Sequence, residues 1–482
     1  MALLRPLAPT RPALHSVRQA SPNAPLSPIM KHFHPIIFLP AGTLVLLLAG
    51  CVAASPAERD AGSRVQAVGS LLRIDGHPPA LPELRPDSPL ADYVRFGVLS
   101  HPQVLAAYHD WRAAVSAIAP ARALPDPQFT FEADIADTLM TFMPGLMFDF
   151  MAPGKRRAMA RELTASSDVS YRTYVATVLR TASEVRKAWI ELAFVDEAIR
   201  LREGSTNALQ QSLELANTDY TTGRGMGTLS NQVRFTNDLG KVRTELASLA
   251  DRRTALRTRF KSALGLAPMD RDPAWPQTPL APTALPGEDE LWRHVAAANP
   301  GLGQMRAMVE MAVAGIEVAR RARTPDFALG AMADLKANPL MVRPVASVTL
   351  PVWREKIAAG IAAAEARRDA GVARVTAEQL NLAAEFAQML YMVREADRMI
   401  AYLDELALPN LDRVLATSEA GYQSGMTSPA MIPETELMVL DLRLERAVAL
   451  REREIAVTEL LLMAADVAPG SAPLLAENIS QR

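Results

Sequence analysis

The sequence predicts a duplicated, mixed α/β membrane architecture in which each half supplies a pair of short barrel strands and one long helical hairpin. Three observations predict it. Proline- and tyrosine-centred motifs recur in the same order about 200 residues apart, period-two apolar segments follow each Pro-Asp pair, and the chain beyond them switches to helical spacing over lengths that a compact globule seldom needs.

The composition narrows the class. With 51 Lys plus Arg against 53 Asp plus Glu in 482 residues, there is no broad cationic field for nucleic acid. Aromatic residues make up only 5%, while alanine, leucine, arginine and glutamate recur through long helix-favouring stretches.

In chain order the leader comes first. Ile36 to Cys51 reads IIFLPAGTLVLLLAGC after a basic start at Lys31. The 15 residues before the cysteine are too few for a bilayer-spanning helix but suit a secretory h-region. Met30-Lys31 is read as the start of this leader and Met1 to Pro28 as an extension outside the fold, so residues 1–50 are assigned as extension and signal peptide. Leu48-Ala49-Gly50-Cys51 resembles a bacterial lipobox, which makes Cys51 the acylated first residue of the mature chain, carrying lipid such as palmitate. The alternative is an ordinary apolar cysteine inside a cleaved leader. Cys51 is the only cysteine, so an intrachain disulfide is impossible.

Residues 51–89 are expected to form an extended, acylated arm, because prolines 78, 79, 82, 86 and 89 remove backbone donors. The first repeat then covers 90–269, a Pro-rich crossover 270–289, the second repeat 290–466, and a disordered tail 467–482. The repeats are aligned by Pro102 and Pro300, Pro125 and Pro325, Pro153 and Pro351, and Tyr220 and Tyr422, at offsets of 198, 200, 198 and 202 residues.

Each repeat opens with a moderate helix, Leu90 to Ala121 or Glu290 to Arg321, ending near a Pro-Asp pair. Strands are predicted at Gln128 to Ala136, Phe142 to Met151, Phe327 to Leu335 and Val342 to Leu350. Their alternation gives each one face for lipid and one for a lumen. Four strands cannot close a useful barrel, whereas three chains pooling twelve leave no open edge. Helical spacing resumes at Lys155 to Thr218, whose 64 residues would span about 96 Å. Thr228 to Leu264, Lys356 to Glu419 and Glu434 to Met463 complete the hairpins, with near-heptad seams that predict coiled-coil packing.

Strand pairs preceding long hairpins in both halves, with Tyr220-Thr221-Thr222-Gly223 and Tyr422-Gln423-Ser424-Gly425 at the lower turns, resemble the TolC-type outer-membrane efflux factor family. The resemblance covers the chain from near Leu90 to near Leu460. It implies a homotrimer with a twelve-stranded β-barrel continuous with a twelve-helix periplasmic α-barrel. It further implies a lipid-anchored outer-membrane protein extending into the periplasm, acting as the passive exit duct of a tripartite efflux system with a periplasmic adaptor and an inner-membrane pump of the RND type. No enzyme activity or cofactor beyond the Cys51 lipid is implied. Ala123-Leu124-Pro125-Asp126-Pro127, followed by Pro153-Gly154-Lys155-Arg156, looks like members associated with heavy-metal export, so the implied cargo is heavy-metal cations or small toxic compounds. A type I secretion or drug-efflux channel is the alternative within the class, and a non-conducting periplasmic coiled-coil scaffold the alternative outside it.

Carried over residue by residue, the resemblance places Tyr220, Gly223, Gly225, Gly227, Tyr422 and Gly425 at the periplasmic tip turns, and Thr427, Met431 and Glu434 at the entrance. Glu434 would supply an acidic ring. Met431 stands where relatives often carry a second acid, and Thr427 where they can carry a basic gating residue. A full charged latch is therefore not carried over, and the gate is expected to rely more on packing and uncharged hydrogen bonds.

Other chemistry is weakly represented. Met140, Met143, Met147 and Met151 cluster in the first strand region, and Met426, Met431 and Met438 near the second tip, but thioethers pack against irregular apolar surfaces as readily as they bind soft metals. No metal site is assigned. Gly223-Arg224-Gly225-Met226-Gly227 lies between predicted helices rather than at a strand-to-helix turn, and Gly154-Lys155-Arg156 lacks the rest of a P-loop.

Overall fold

The computed structural model describes residues 53–72, 81–136, 139–222, 229–335, 337, 339–424, 426 and 430–466. The leader, Cys51, Gly223, Gly225, Gly227, Gly425, Thr427 and the tail lie outside the described residues.

The arm departs from expectation, because Pro56–Leu72 is helix α1. The prolines that argued for an extended path begin only at 78, whereas Ala61, Val65, Val68 and Leu72 fall at helical spacing and are buried. Tyr108 fixes the helix by donating its hydroxyl to the Val65 carbonyl at 3.2 Å.

The opening helix of each repeat is broken at its proline. Leu90–Ser100 (α2), Pro102–Ser116 (α3) and the short Ile118–Arg122 (α4) replace one continuous helix, and Glu288–Ala298 (α7) and Pro300–Arg321 (α8) do the same in the second repeat. The residue before each proline becomes an N-cap: His101 accepts a bond from Gln103 N, and Asn299 accepts one from Leu302 N.

Strands β1 (Gln128–Ala136), β2 (Leu139–Phe150), β3 (Asp326–Asp334) and β4 (Met341–Thr349) form one antiparallel sheet in the order β1-β2-β3-β4. The two predicted hairpins are joined through β2 and β3, with Phe148 opposite Leu329 and Phe150 opposite Phe327. Strand β2 begins three residues earlier than predicted, at Leu139, and pairs with β1 down to Ala136.

The hairpins are α5 (Pro153–Thr222) with α6 (Leu229–Ala263), and α9 (Arg354–Tyr402) continuing to α10 (Leu408–Gln423) with α11 (Met431–Met463). Helix α5, at 70 residues, would reach roughly 105 Å along its axis. Between α9 and α10 the predicted continuous helix contains a π-helical turn, Leu403–Ala407, marked by the Leu408 N–H bonding to the Leu403 carbonyl. Pro409 has no N–H to give to Glu405, and the widened turn absorbs that missing bond.

The largest core packs α2, α3, α5 and α6 around Tyr93, Trp111, Tyr171, Tyr174 and Phe260, with Trp111 stacked on Tyr174 at 5.6 Å. A second core joins α7, α9 and α11 through Leu291, Phe386, Val457 and Leu460. A third joins α5 and α6 through Leu209, Ala216, Phe235, Leu239 and Val242, with Leu437 of α11 packed against it. The seams behave as the near-heptad reading expects, because apolar residues return to the neighbouring helix every three or four positions.

Candidate functional site: a two-faced sheet and charged helical ties

Residues opposite one another in an antiparallel pair share a face, so the register sorts the side chains. One face carries Phe129, Phe131, Leu146, Phe148, Phe150, Phe327, Leu329, Val342 and Val348. Phe129 and Val348, on the two edge strands, are 61% and 50% exposed, so a large apolar surface faces outward. The other face carries Gln128, Thr130, Glu132, Asp149, Asp334, Arg343, Ser347 and Thr349, interleaved with glycines and methionines. On it Gln128 Nε2 donates to Asp149 at 2.9 Å, and Arg343 pairs with Asp334 at 3.4 Å. Strands β1 and β4 each have one unpaired edge.

The motifs that aligned the repeats meet where sheet becomes helix. Lys155 in the first turn of α5 forms an ion pair with Asp326 at the start of β3, 2.6 Å apart, and Asp326 also accepts from Ala152 N. A lysine in one repeat and an aspartate in the other thus hold β3 against the β2-to-α5 junction.

At the other end of the hairpins, Tyr220 and Tyr422 stand in the last turns of α5 and α10, both exposed, and Met431 opens α11 with its side chain partly exposed. Glu434 lies in the first turn of α11. Its partner is Arg234 of α6, at 2.5 Å. The tip therefore holds a charged tie, and its basic partner is Arg234 of α6.

That tie is one of several between α11 and the first repeat. Arg202 of α5 bonds Asp441 at 2.7 Å and Glu245 of α6 at 3.1 Å, Lys187 reaches Glu459 at 2.7 Å, and Arg186 reaches Glu454 at 3.3 Å. Glu454 is only 1% exposed and is surrounded by donors. Thr283 gives it both its backbone N–H, at 2.9 Å, and its hydroxyl, at 2.6 Å, and Arg453 adds a bond at 2.6 Å. Burial draws the Arg186 pKa below its ordinary value, and Glu454 opposes that shift. The crossover is thereby pinned to both repeats. Sequence reasoning missed this cluster because a buried Glu at helical spacing among Arg residues looks like any solvated helix face.

Among the described residues, no helix is long and apolar enough to cross a membrane, and no group of three His, Cys, Asp or Glu residues is arranged to hold a metal.

A two-faced antiparallel sheet continued by duplicated helical hairpins defines the class: mixed α/β channel folds. Residues 291–465 match the family described as Outer membrane efflux protein. No curated protein sequence matches the chain significantly. Among solved structures, CusC, described in terms of folding and transmembrane channel formation, matches with a TM-score of 0.64 at 17% identity, covering 79% of this chain and 93% of that chain. The outer membrane protein VceC of Vibrio cholerae matches at 0.62 and 16%, covering 79% and 96%. The open-state MtrE outer membrane channel of Neisseria gonorrhoeae matches at 0.65 and 15%, covering 87% and 94%. The family match thus covers the second repeat, and the chain has the mixed α/β fold of these channel structures.

Proposed function

We propose that this chain is one third of the outer-membrane exit duct of a bacterial tripartite efflux system. Three copies would pool their four-stranded sheets into a twelve-stranded barrel and their hairpins into a twelve-helix periplasmic tunnel, with the apolar face towards lipid and the polar face towards a water-filled lumen. The observation that carries this reading is the sheet itself: one exposed apolar face, one polar face, and two edges whose unpaired backbone groups hydrocarbon would not tolerate. Exposed apolar side chains on α9, including Leu380 and Tyr391, support the same assembly by leaving a helix face for a neighbour.

A periplasmic adaptor and an inner-membrane pump of the RND type would supply energy and most of the selectivity, and the cargo class would be heavy-metal cations or small toxic compounds. Acylation of Cys51 would hold the mature chain at the membrane in addition to the barrel. Fractionation and planar-bilayer recording test the duct: outer-membrane enrichment and trimeric conductance are expected, and a monomer or a silent trimer would sink it. Metabolic labelling with a fatty acid, lost in Cys51→Ser, tests the anchor.

A further inference from the structure

We propose that the polar face of the sheet carries a thioether station for a soft monovalent cation, Cu(I) or Ag(I), built from Met143, Met147 and Met332 around Gly145. On the polar face, Met143, Met147, Met332 and Met341 stand with Glu132, Asp149 and Asp334, whereas Met140, opposite Ile135, has the parity of the apolar face.

The register then brings three of them together. Met332 lies directly opposite Gly145, and Met143 and Met147 stand two residues to either side of that glycine on the same face. They are the diagonal neighbours of Met332, roughly 7–8 Å away at the backbone, a gap that three unbranched thioether side chains can close. Gly145 leaves the centre open, and Met332 occupies it: a Cβ added to the glycine would lie 2.6 Å from Met332 Cγ.

A second, independent feature points to the same spot. Thr130, the other partner of Gly145, has its Oγ1 shielded from solvent without a hydrogen-bond partner, 2.9 Å from where that Cβ would be. An orphaned oxygen beside three thioethers completes a small, mainly sulfur donor set, which suits soft d10 ions and not Mg²⁺ or Ca²⁺. Glu132, opposite Met143, and Asp149 add negative potential that raises the local cation concentration without competing as soft ligands. Neutral thioethers hold such an ion less firmly than thiolates, as a station on a path requires. The sequence alone assigns no metal site to Met143 and Met147 and does not single out Met332.

The placement along a cargo path rests on the exit-duct reading; the binding does not. The test is titration of purified full-length protein, in a Cys51→Ser background that removes the one competing thiol, with Ag(I) or with Cu(I) shared against a colorimetric chelator. One ion per protomer is expected. Met332→Leu, close in volume, should weaken binding by about tenfold or more, and the triple Leu variant should abolish it, while Met438→Leu on α11 should leave it unchanged. X-ray absorption on the protein with its methionines intact should show sulfur neighbours at the metal, a readout that does not depend on any variant folding. Binding that survives in the triple variant, or a first shell of nitrogen and oxygen only, overturns the station. Conductance of the same preparation is scored separately: metal bound by a silent protein would count against the duct and leave the station standing.

Discussion

Arg234, five residues into α6, closes a 2.5 Å ion pair with Glu434 in the first turn of α11, tying the tip of the first hairpin to the tip of the second. With 55% and 34% of the two side chains exposed, the pair is screened, and it should contribute no more than about 1 kcal/mol to stability. Its consequence lies in charge placement. A carboxylate held by a guanidinium presents little net field to a passing ion, so the acidic ring expected at Glu434 is largely neutralised while the pair is closed.

Opposite outcomes therefore follow for the two partners. Arg234→Gln should uncover Glu434 and raise cation preference in low salt, while Glu434→Gln should uncover Arg234 and shift the channel towards anions. Reversal potentials under a salt gradient read both, and neither variant should move the melting midpoint appreciably. Equal selectivity in all three proteins would place the pair away from the ion path.

Glu454 predicts a much larger stability effect. Its carboxylate compensates Arg186 and Arg453 and holds Thr283 of the crossover, all with little solvent access. Glu454→Ala should cost about 3–5 kcal/mol, because Arg186 loses its buried counter-charge and Thr283 its acceptor, while Arg453 keeps Asp397. Glu454→Gln, which can still accept from Thr283 but lacks the charge, should fall between. Thermal unfolding by circular dichroism measures the loss. Limited trypsin digestion should show Arg271 cut faster if the crossover has come loose.

The sequence carried the architecture because its signals are local and repeated. Alternation in Phe129 and Phe131 marks a strand, and Pro102 and Pro300 mark equivalent breaks, regardless of what surrounds them. The contacts that tie the repeats together were not legible, since Arg234 and Glu434 are 200 residues apart and each alone is an unremarkable helix charge. Helix α1 was lost for another reason: a proline cluster downstream of it dominated the reading of the whole arm. The methionine arrangement needed the β2–β3 register, which no single-strand pattern contains.

The faces of the sheet predict position-dependent tolerance to charge. Leu329→Arg puts a guanidinium on the apolar face and should cost about 2–4 kcal/mol if it lies near the bilayer midplane. Ser347→Arg, on the polar face of the neighbouring strand, should assemble normally. Heat-resistant trimer on gels and outer-membrane recovery distinguish them. Equal recovery would mean that the apolar face does not meet lipid.

His101 gives a pH dependence. Burial holds its pKa below the ordinary value, partly offset by a backbone hydrogen bond at Ser262, so the folded chain favours the neutral imidazole whose Nδ1 caps α3. A depressed folded pKa means that the unfolded chain binds the proton more readily. This group's contribution is therefore complete above about pH 6.5 and is lost as pH falls below it through the folded pKa. His101→Asn installs the cap that the second repeat already uses at Asn299 and cannot titrate. Melting midpoints should fall less between pH 7 and pH 5 in this variant than in the parent, and parallel pH profiles would remove His101 as a source of acid sensitivity.

The duplication also fixes how copies should meet. Within the chain, Phe148 of β2 faces Leu329 of β3. Carrying β2 onto β4 by the 198-residue offset, and β3 back onto β1 by the 200-residue offset, puts Ala346 opposite the partner subunit's Phe129. Both positions belong to the apolar face, so this register keeps that face continuous around the ring, whereas a slip of one residue would turn lipid-facing side chains into the lumen. Phe129→Cys combined with Ala346→Cys should therefore oxidise to covalent dimers and trimers on non-reducing gels, because directly opposed strand residues have backbone separations within reach of a disulfide. Replacing Ala346→Cys by Val345→Cys, whose side chain lies on the polar face, should abolish the cross-link. Efficient bridging through position 345 would mean that the copies join in another register.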